Sequence, residues 1–412
     1  MTIADTNSLL QAVERLRVDS RSKAWELFVK SGLPSKQQEA FSYVSFDKLY
    51  KQTFNQNVHI PLKEQLPQAL SSLRFVFVDG ELNKELSSLD HLPEDVIYGS
   101  IEEAKKDFSS LIKAHEERLF QEQSLSGLDY LNEACYQKGF FLYIPPKCAL
   151  LDKIECLHIA THSVSAAKAL IFIGKHAEVE FYHHALHPDN HLAVARHEYH
   201  LEAGSYCKLI FDDISQKQCF SFHKVIARLK KDSHLSSYQL SQGGLCYRKE
   251  YSVDLLEDNS EVDLKGITAL ERSDQSHVVV TVRHQAPQCR SHQHFKCLLS
   301  ESARGSFEGK IWVAKPADKT QAYQLCNHLV LSPKAHAFAK PNLEIFADDV
   351  KASHGATIAQ LNDEDLFYLK ARGLEEQVAK RLLTKGFCRE ITQHLDENLQ
   401  KKLEDSFFSD RN

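Results

Sequence analysis

From about Phe140 to Val350 the chain is a succession of short segments in which apolar and polar residues alternate. Ala169 to Ile173, Val179 to Tyr182, Lys208 to Phe211, Val278 to Val282 and Ile311 to Val313 are examples. Alternation with β-branched and aromatic residues is the texture of strands. A small residue in a polar corner precedes a strand at Ala177, Gly204, Ser233, Ser260, Ala303 and Ala335, at steps of 27, 29, 27, 43 and 32 residues. Periods in this range mean stacked supersecondary units. A strand-only repeat suggests a β-helix, in which each strand pairs with its equivalent one coil away, and the 43-residue step reads as a longer coil. A β-sandwich with irregular loops fits the same spacing, and spacing alone does not separate the two.

Both flanks read as helix. Asn7 caps a segment in which Leu9, Leu10, Val13 and Leu16 recur at helical spacing. A second segment with Ala24, Trp25, Leu27 and Phe28 stops at Gly32-Leu33-Pro34. Leu73 to Val78 is a short apolar strand, and helix returns from Ile101 to Leu119. Beyond Asn362, three acidic residues open a helix that ends at Arg372-Gly373. A second follows around Val378, Leu382 and Leu383, and a third spans Leu395 to Leu403. The division expected is 1–138 helical or mixed, 139–350 strand core, and 351–412 helical.

A chain of 412 residues is long for one compact core, but a solenoid adds core with every turn. A net charge of −6 gives no basic excess for nucleic acid or an anionic membrane. No apolar run approaches the ~18–20 residues needed to span a bilayer, and Met1 to Leu10 lacks a secretory pattern. A cytoplasmic protein is expected. Ten cysteines form no C-x-x-C pair, so they are expected to be free, buried thiols.

Candidate chemistry is sparse. Seven of 22 histidines fall between His176 and His200. His183, His184, His187 and His191 suggest a metal site, but their flanks read as strand, and the HEYH at His197–His200 is one residue short of a zinc helix. Exposed histidines on strands and loops are the expectation. Cys289, His292, His294 and Cys297 alternate between strand faces and are not expected to converge. The segment Gly305 to Ile311 has the wrong spacing for a phosphate loop, so ATP hydrolysis is not expected. Lys340 to Gln360, KPNLEIFADDVKASHGATIAQ, reads as the junction between strands and C-terminal helices. There Asp348, Asp349 and Lys351 lie close to His354, and Gly355 lets the backbone turn and leaves the imidazole accessible.

These residues resemble the SufB/SufD family of iron–sulfur cluster assembly proteins, and its SufD branch in particular. The likeness is strongest over Ala322 to Phe387, where AYQ, the LEIFADDVKASHGAT run and LFYLKARGL match the family's signature. GSFEGKI resembles its F-x-G-x-I strand, and GLPSKQQEAFSYVSFDKL its N-terminal segment, with Phe41 at a tryptophan position. The resemblance implies a mostly β fold, a right-handed parallel β-helix core with helical subdomains at both ends. It also implies a non-catalytic scaffold that pairs with a SufB-like paralogue and docks a SufC-like ABC-type ATPase. On that likeness His354 is a ligand for iron or a transient cluster at the interface with SufB, with no cofactor held tightly by the chain alone. Leu366, Phe367, Tyr368, Arg372, Gly373, Leu382 and Phe387 fall in the ATPase-docking region. Ala352 stands where the family has cysteine, Gln321 where aspartate is common, and His354-Gly355 favours SufD over SufB. A β-helix carbohydrate-active enzyme and a histidine-based metalloprotein are the rival readings.

Overall fold

In the computed structural model, which describes residues 7–54, 66–119, 125–214 and 218–408, the alternating tract winds into a parallel β-solenoid. Its wall is two sheets. One stacks Val350–Ala359, Thr320–Val330, Arg290–Leu299, Glu261–Leu270, His234–Ser241, Tyr206–Asp213, Glu178–Leu186, Ile154–Ile159, Leu73–Val78 and Glu81–Leu82 in that order. The other stacks His336–Ile345, Arg304–Val313, Gln275–His284, Cys246–Leu255, Phe220–Leu229, Leu192–Leu201, Val164–Ile173, Phe140–Ile144 and Ile97–Gly99. Consecutive strands therefore alternate between walls, and each pairs in parallel with its equivalent one turn on. A sandwich of hairpins would pair neighbours antiparallel, so this register excludes it.

The corners explain the repeat. Lys147, His176, Gly204, Asp232, Asn259, Gln288 and Lys319 all take the left-handed conformation, at steps of 27 to 31 residues. The amide of each donates to a carbonyl of the next turn, as in Asp232 to Asp258 and Gln288 to Asp318. A small residue follows, buried at every corner except that of the half-buried Cys148. The hydroxyls of Ser205, Ser233, Ser260 and Thr320 donate to the carbonyl three residues back, so the turn leaves no orphan acceptor there. The expected 43-residue coil does not exist. Cys289 and Thr320 occupy the corner after Ser260, whereas Ala303 and Ala335 belong to a different corner. Cysteine in a small-residue position hid the period.

The period-two pattern sorts side chains between lumen and outer face. Inner rows are apolar over most of their length, with Phe75, Cys156, Phe181, Leu209, Leu235 and Leu264 on one wall and Ile171, Tyr199, Val225, Val253 and Val280 opposite. Burial of each such side chain contributes roughly 1.5–3 kcal/mol. Helices cover both outer faces. N-terminal Leu9, Val13, Phe28, Leu131 and Cys135 pack on Val164, Leu170, Phe172 and Phe220 of the nine-stranded sheet. C-terminal Cys388, Ile391, Leu399 and Leu403 pack on Tyr182, Ile210, Leu240 and Leu298 of the ten-stranded sheet.

The flanking helices follow the sequence signals. Ser22–Ser31 ends at Gly32 with φ +68°, and Asn362 caps Asp363–Ala371. The Ile101–Leu119 helix is broken into Ile101–Ala104 and Ser109–Leu119. Glu376–Thr392 and Glu397–Phe407 complete the C-terminal end; residues 1–6 and 409–412 of the expected flanks lie outside the described residues. Strand extends beyond 350, through Val350–Ala359. Lys351 to Gly355 is thus not a turn, and Gly355 takes no positive φ, because the segment finds ladder partners on Thr320–Val330. Among the described residues no helix is long and apolar enough to cross a membrane.

Candidate functional site at the open end of the solenoid

The two ends of the solenoid differ. At the N-terminal end, short antiparallel strands close both sheets, Glu81–Leu82 on one and Ile97–Gly99 on the other. Leu82, Leu89, Leu92 and Tyr98 pack against the core there. At the other end both sheets finish on ten-residue strands, His336–Ile345 and Val350–Ala359. Among the described residues no further strand pairs with either edge, and an open edge is a template for another chain. Pro341 blunts the first edge; the second has no proline.

His354 lies in the middle of that second edge. It is in register with Gln324 of the adjacent strand. Ala322, Gln324, Cys326 and His328 are buried, whereas Tyr323 is 37% exposed, so the even-numbered positions face the lumen. A Cβ on Gly355 would meet Leu325 on the outer face. His354 therefore stands on the inner row, and its exposure comes from being on the last turn. Its ring has no hydrogen-bond partner among the described residues. Ala352 shares that inner row and packs near Ala322, Ile311 and Val313, so the family's cysteine position also faces the mouth. Asp348 and Asp349 are exposed at the preceding corner.

Beneath His354 the lumen turns polar. Gln324 Nε2 donates to Gln293 Oε1 at 3.2 Å, and the same row continues through Leu264 to Ser237. The remaining side-chain oxygen of Gln324 and nitrogen of Gln293 are buried without a partner among the described residues. Gly309 on the facing wall makes room: a Cβ there would overlap Gln324 Nε2 at 1.4 Å. This is the physical content of two motifs, the glycine of GSFEGKI and the glutamine of AYQ. Both were visible in the sequence as pattern, but their meeting across the lumen was not.

The histidine expectations need correction. His183, His191 and His197 are buried, not exposed, because their parity places them in the lumen or a corner. His191 is held between Ser165 Oγ, at 2.9 Å, and the His162 carbonyl. His184 pairs with Glu155 at 2.8 Å on the outer face. Burial drives His158, His183, His191 and His223 well below the ordinary histidine range, and His197 to about 3. Cys289, His292, His294 and Cys297 do not converge. Cys289 sits in a corner against Ser260, His292 and His294 reach outward to Asp263 and Asn327, and Cys297 is buried beside Leu299 and Ala303. All ten cysteines are free, and nine are buried.

Two compact triads of metal-ligating type occur among the described residues: His115, Glu198 and His200, and His234, Glu261 and Asp263. In the first, Glu198 already accepts from Arg196 at 2.7 Å and Arg228 at 3.0 Å. In the second, Asp263 accepts from His234, and Glu261 pairs with Arg290.

The proposed docking residues divide. Asp363–Ala371 buries no side chain. Phe367 is 74% exposed, Tyr368 56% and Leu382 50%. Arg372 lies over the Tyr368 ring, and Gly373 has φ +90°; Leu366 is half-buried. Phe387 belongs to the chain's own packing: it lies against the ten-stranded sheet, with its carbonyl held by Lys296 Nζ at 2.7 Å.

Fold and site thus define a β-solenoid closed at one end, open at the other, with a lone imidazole in its mouth. Two family descriptions match the chain: the SUF system FeS cluster assembly SufBD core domain over residues 157–387, and the SufBD protein N-terminal region over 5–155. The iron–sulfur cluster assembly protein SufD of Escherichia coli is 27% identical over 408 residues, covering 96% of this chain and 93% of that one. A SufBD family protein of Synechocystis is 26% identical, covering 92% and 87%. The SufD of Plasmodium berghei is 26% identical over 261 residues, covering 62% of this chain and 19% of that one. The chain belongs to the SufB/SufD family of iron–sulfur cluster assembly proteins, in its SufD branch.

Proposed function

We propose that this chain is the non-catalytic scaffold subunit of a cytoplasmic assembly complex, pairing with a SufB-like paralogue and carrying a SufC-like ATPase. The observation that carries the reading is the open turn, where His354 faces the lumen on an unprotected edge strand. A partner strand added to Val350–Ala359 satisfies the free backbone groups and covers Ile358, 54% exposed. The same pairing brings a second chain's ligands to His354. One imidazole does not complete an iron site, and Ala352 supplies no thiolate, so iron or the nascent cluster is a substrate held jointly with the partner. The ATPase docks on the exposed face formed by Leu366, Phe367, Tyr368, Arg372, Gly373 and Leu382. The work divides over 1–138, 139–350 and 351–412, with Val350–Ala359 acting mechanically as part of the core.

The test is His354→Ala co-expressed with both partners. The expected result is a complex of normal composition with reduced cluster content. Undiminished cluster content removes His354 from the mechanism, and a complex that no longer assembles assigns it to pairing instead.

A further inference from the structure

Four imidazoles meet deep in the lumen, separated from the strand of His354 by at least five others of the ten-stranded sheet. His158 and His183 come from that sheet, and His197 and His223 from the facing one. We propose that His158, His183, His197 and His223 form a binding site for one divalent transition-metal ion of the iron, cobalt and zinc class.

One pair of these rings already has the spacing of metal ligands; no three of the four bring one nitrogen each within 4.8 Å of one another, so the other two rings turn inward when an ion is bound. His158 Nε2 and His183 Nδ1 are 3.3 Å apart. Two nitrogens each ~2.0–2.1 Å from one tetrahedral ion have about that separation. Ring centroids of His158, His183 and His197 are 5.2 to 5.6 Å apart, and His223 lies 4.6 Å from His197. All four line a cavity of about 60 Å³, room for a few waters or an ion.

Two further features point to a ligand. His197 Nδ1 and His223 Nε2 are buried without a hydrogen-bond partner among the described residues, which is costly unless something fills the space. Tyr199 Oη bonds His183 Nε2 at 2.8 Å. That is the arrangement by which a second residue fixes a metal-bound imidazole; coordination through His183 Nδ1 replaces its hydrogen bond to His158 Nε2. Asp213 lines the same cavity and pairs with Lys249 at 3.1 Å. The tighter His115–Glu198–His200 triad is the weaker candidate, because its carboxylate is already shared by two guanidiniums.

The experiment loads the full chain with Co²⁺, by titration and by expression in cobalt-supplemented medium. It reads metal content and visible ligand-field absorption. The expected result is about one Co²⁺ per chain, with the absorption lost in His183→Gln and His197→Gln and unchanged in His354→Ala. Tyr199→Phe keeps the core volume and should weaken binding about 10–100-fold, with the far-ultraviolet spectrum preserved. Failure of the unsubstituted chain to bind Co²⁺ by either route overturns the site. So does binding that survives the lumen variants, or that is lost instead in His115→Gln and His200→Gln. If the histidine variants do not fold, an unchanged affinity in Tyr199→Phe overturns it alone. None of these outcomes depends on cluster assembly at His354.

Discussion

Gly309 and Gln324 face each other across the lumen, and the glycine's missing side chain is the space the amide occupies. Gln324 in turn lies directly beneath His354. A motif glycine, a motif glutamine and the candidate ligand are thus one stack.

Gly309→Ala should therefore act like a change at His354 itself. The new methyl displaces Gln324, at an overpacking cost of about 1–3 kcal/mol. Cluster content of the co-expressed complex should fall alongside a lower urea midpoint. A stable variant with full cluster content would show that Gln324 does not support the mouth.

His354→Ala should leave the isolated chain's stability within about 0.5 kcal/mol, because the ring is exposed and has no partner among the described residues. Thermal melting of the chain alone checks this. A larger loss would make His354 a structural residue.

Lys296 ties the last helices to the wall through the Phe387 carbonyl and Glu390. Lys296→Met keeps the stem but removes both bonds. The cost should be about 1–3 kcal/mol, localised as faster amide exchange over Glu376–Thr392. Docking by Phe367, Tyr368 and Leu382 predicts the opposite separation. Alanine at those three exposed positions should abolish ATPase co-purification while stability changes little.

Acid should unfold the chain early. Burial lowers His277 to about 3 and His284 and His328 to about 4; for His277 the nearby Arg248 and Arg304 add to this. The unfolded chain, with histidines near 6.5, takes up protons that the folded chain refuses between about pH 6.5 and 4. Stability is full above that window and falls as pH drops through it, by up to about 1.4 kcal/mol per pH unit for each such histidine. Urea midpoints at pH 7.5 and 5.5 measure the slope. His284→Gln should remove about one proton from the uptake on unfolding at pH 5.5.

The corners carry a backbone prediction. Gln288 has φ +61°, a conformation that costs a non-glycine residue roughly 1–2 kcal/mol. Gln288→Val should lower the unfolding midpoint, whereas Gln288→Gly should hold or raise it.

The strands, their period of two and the helical ends were legible because alternation and end signals are local. Leu73–Val78 and the stop at Gly32 needed no tertiary information. Cys289 hides the coil length, because a buried thiol and a buried hydroxyl fill the same corner but look different in a pattern. The junction at His354 resembles a turn for a related reason. A glycine permits a turn, but ladder pairing with Gln324 and Leu325 holds it extended. The burial of His183, His191 and His197 is not legible, because a strand pattern does not say which of its two faces is inside.

Neighbouring residues are enough to establish that this chain repeats short strands between helical ends and carries the His354 motif. They do not establish that His354 faces the lumen, that the far end is closed and this end open, or that His158, His183, His197 and His223 share a cavity. Those facts arise from stacking, which brings together residues about one turn or more apart, and from which face of each strand the stacking turns inward.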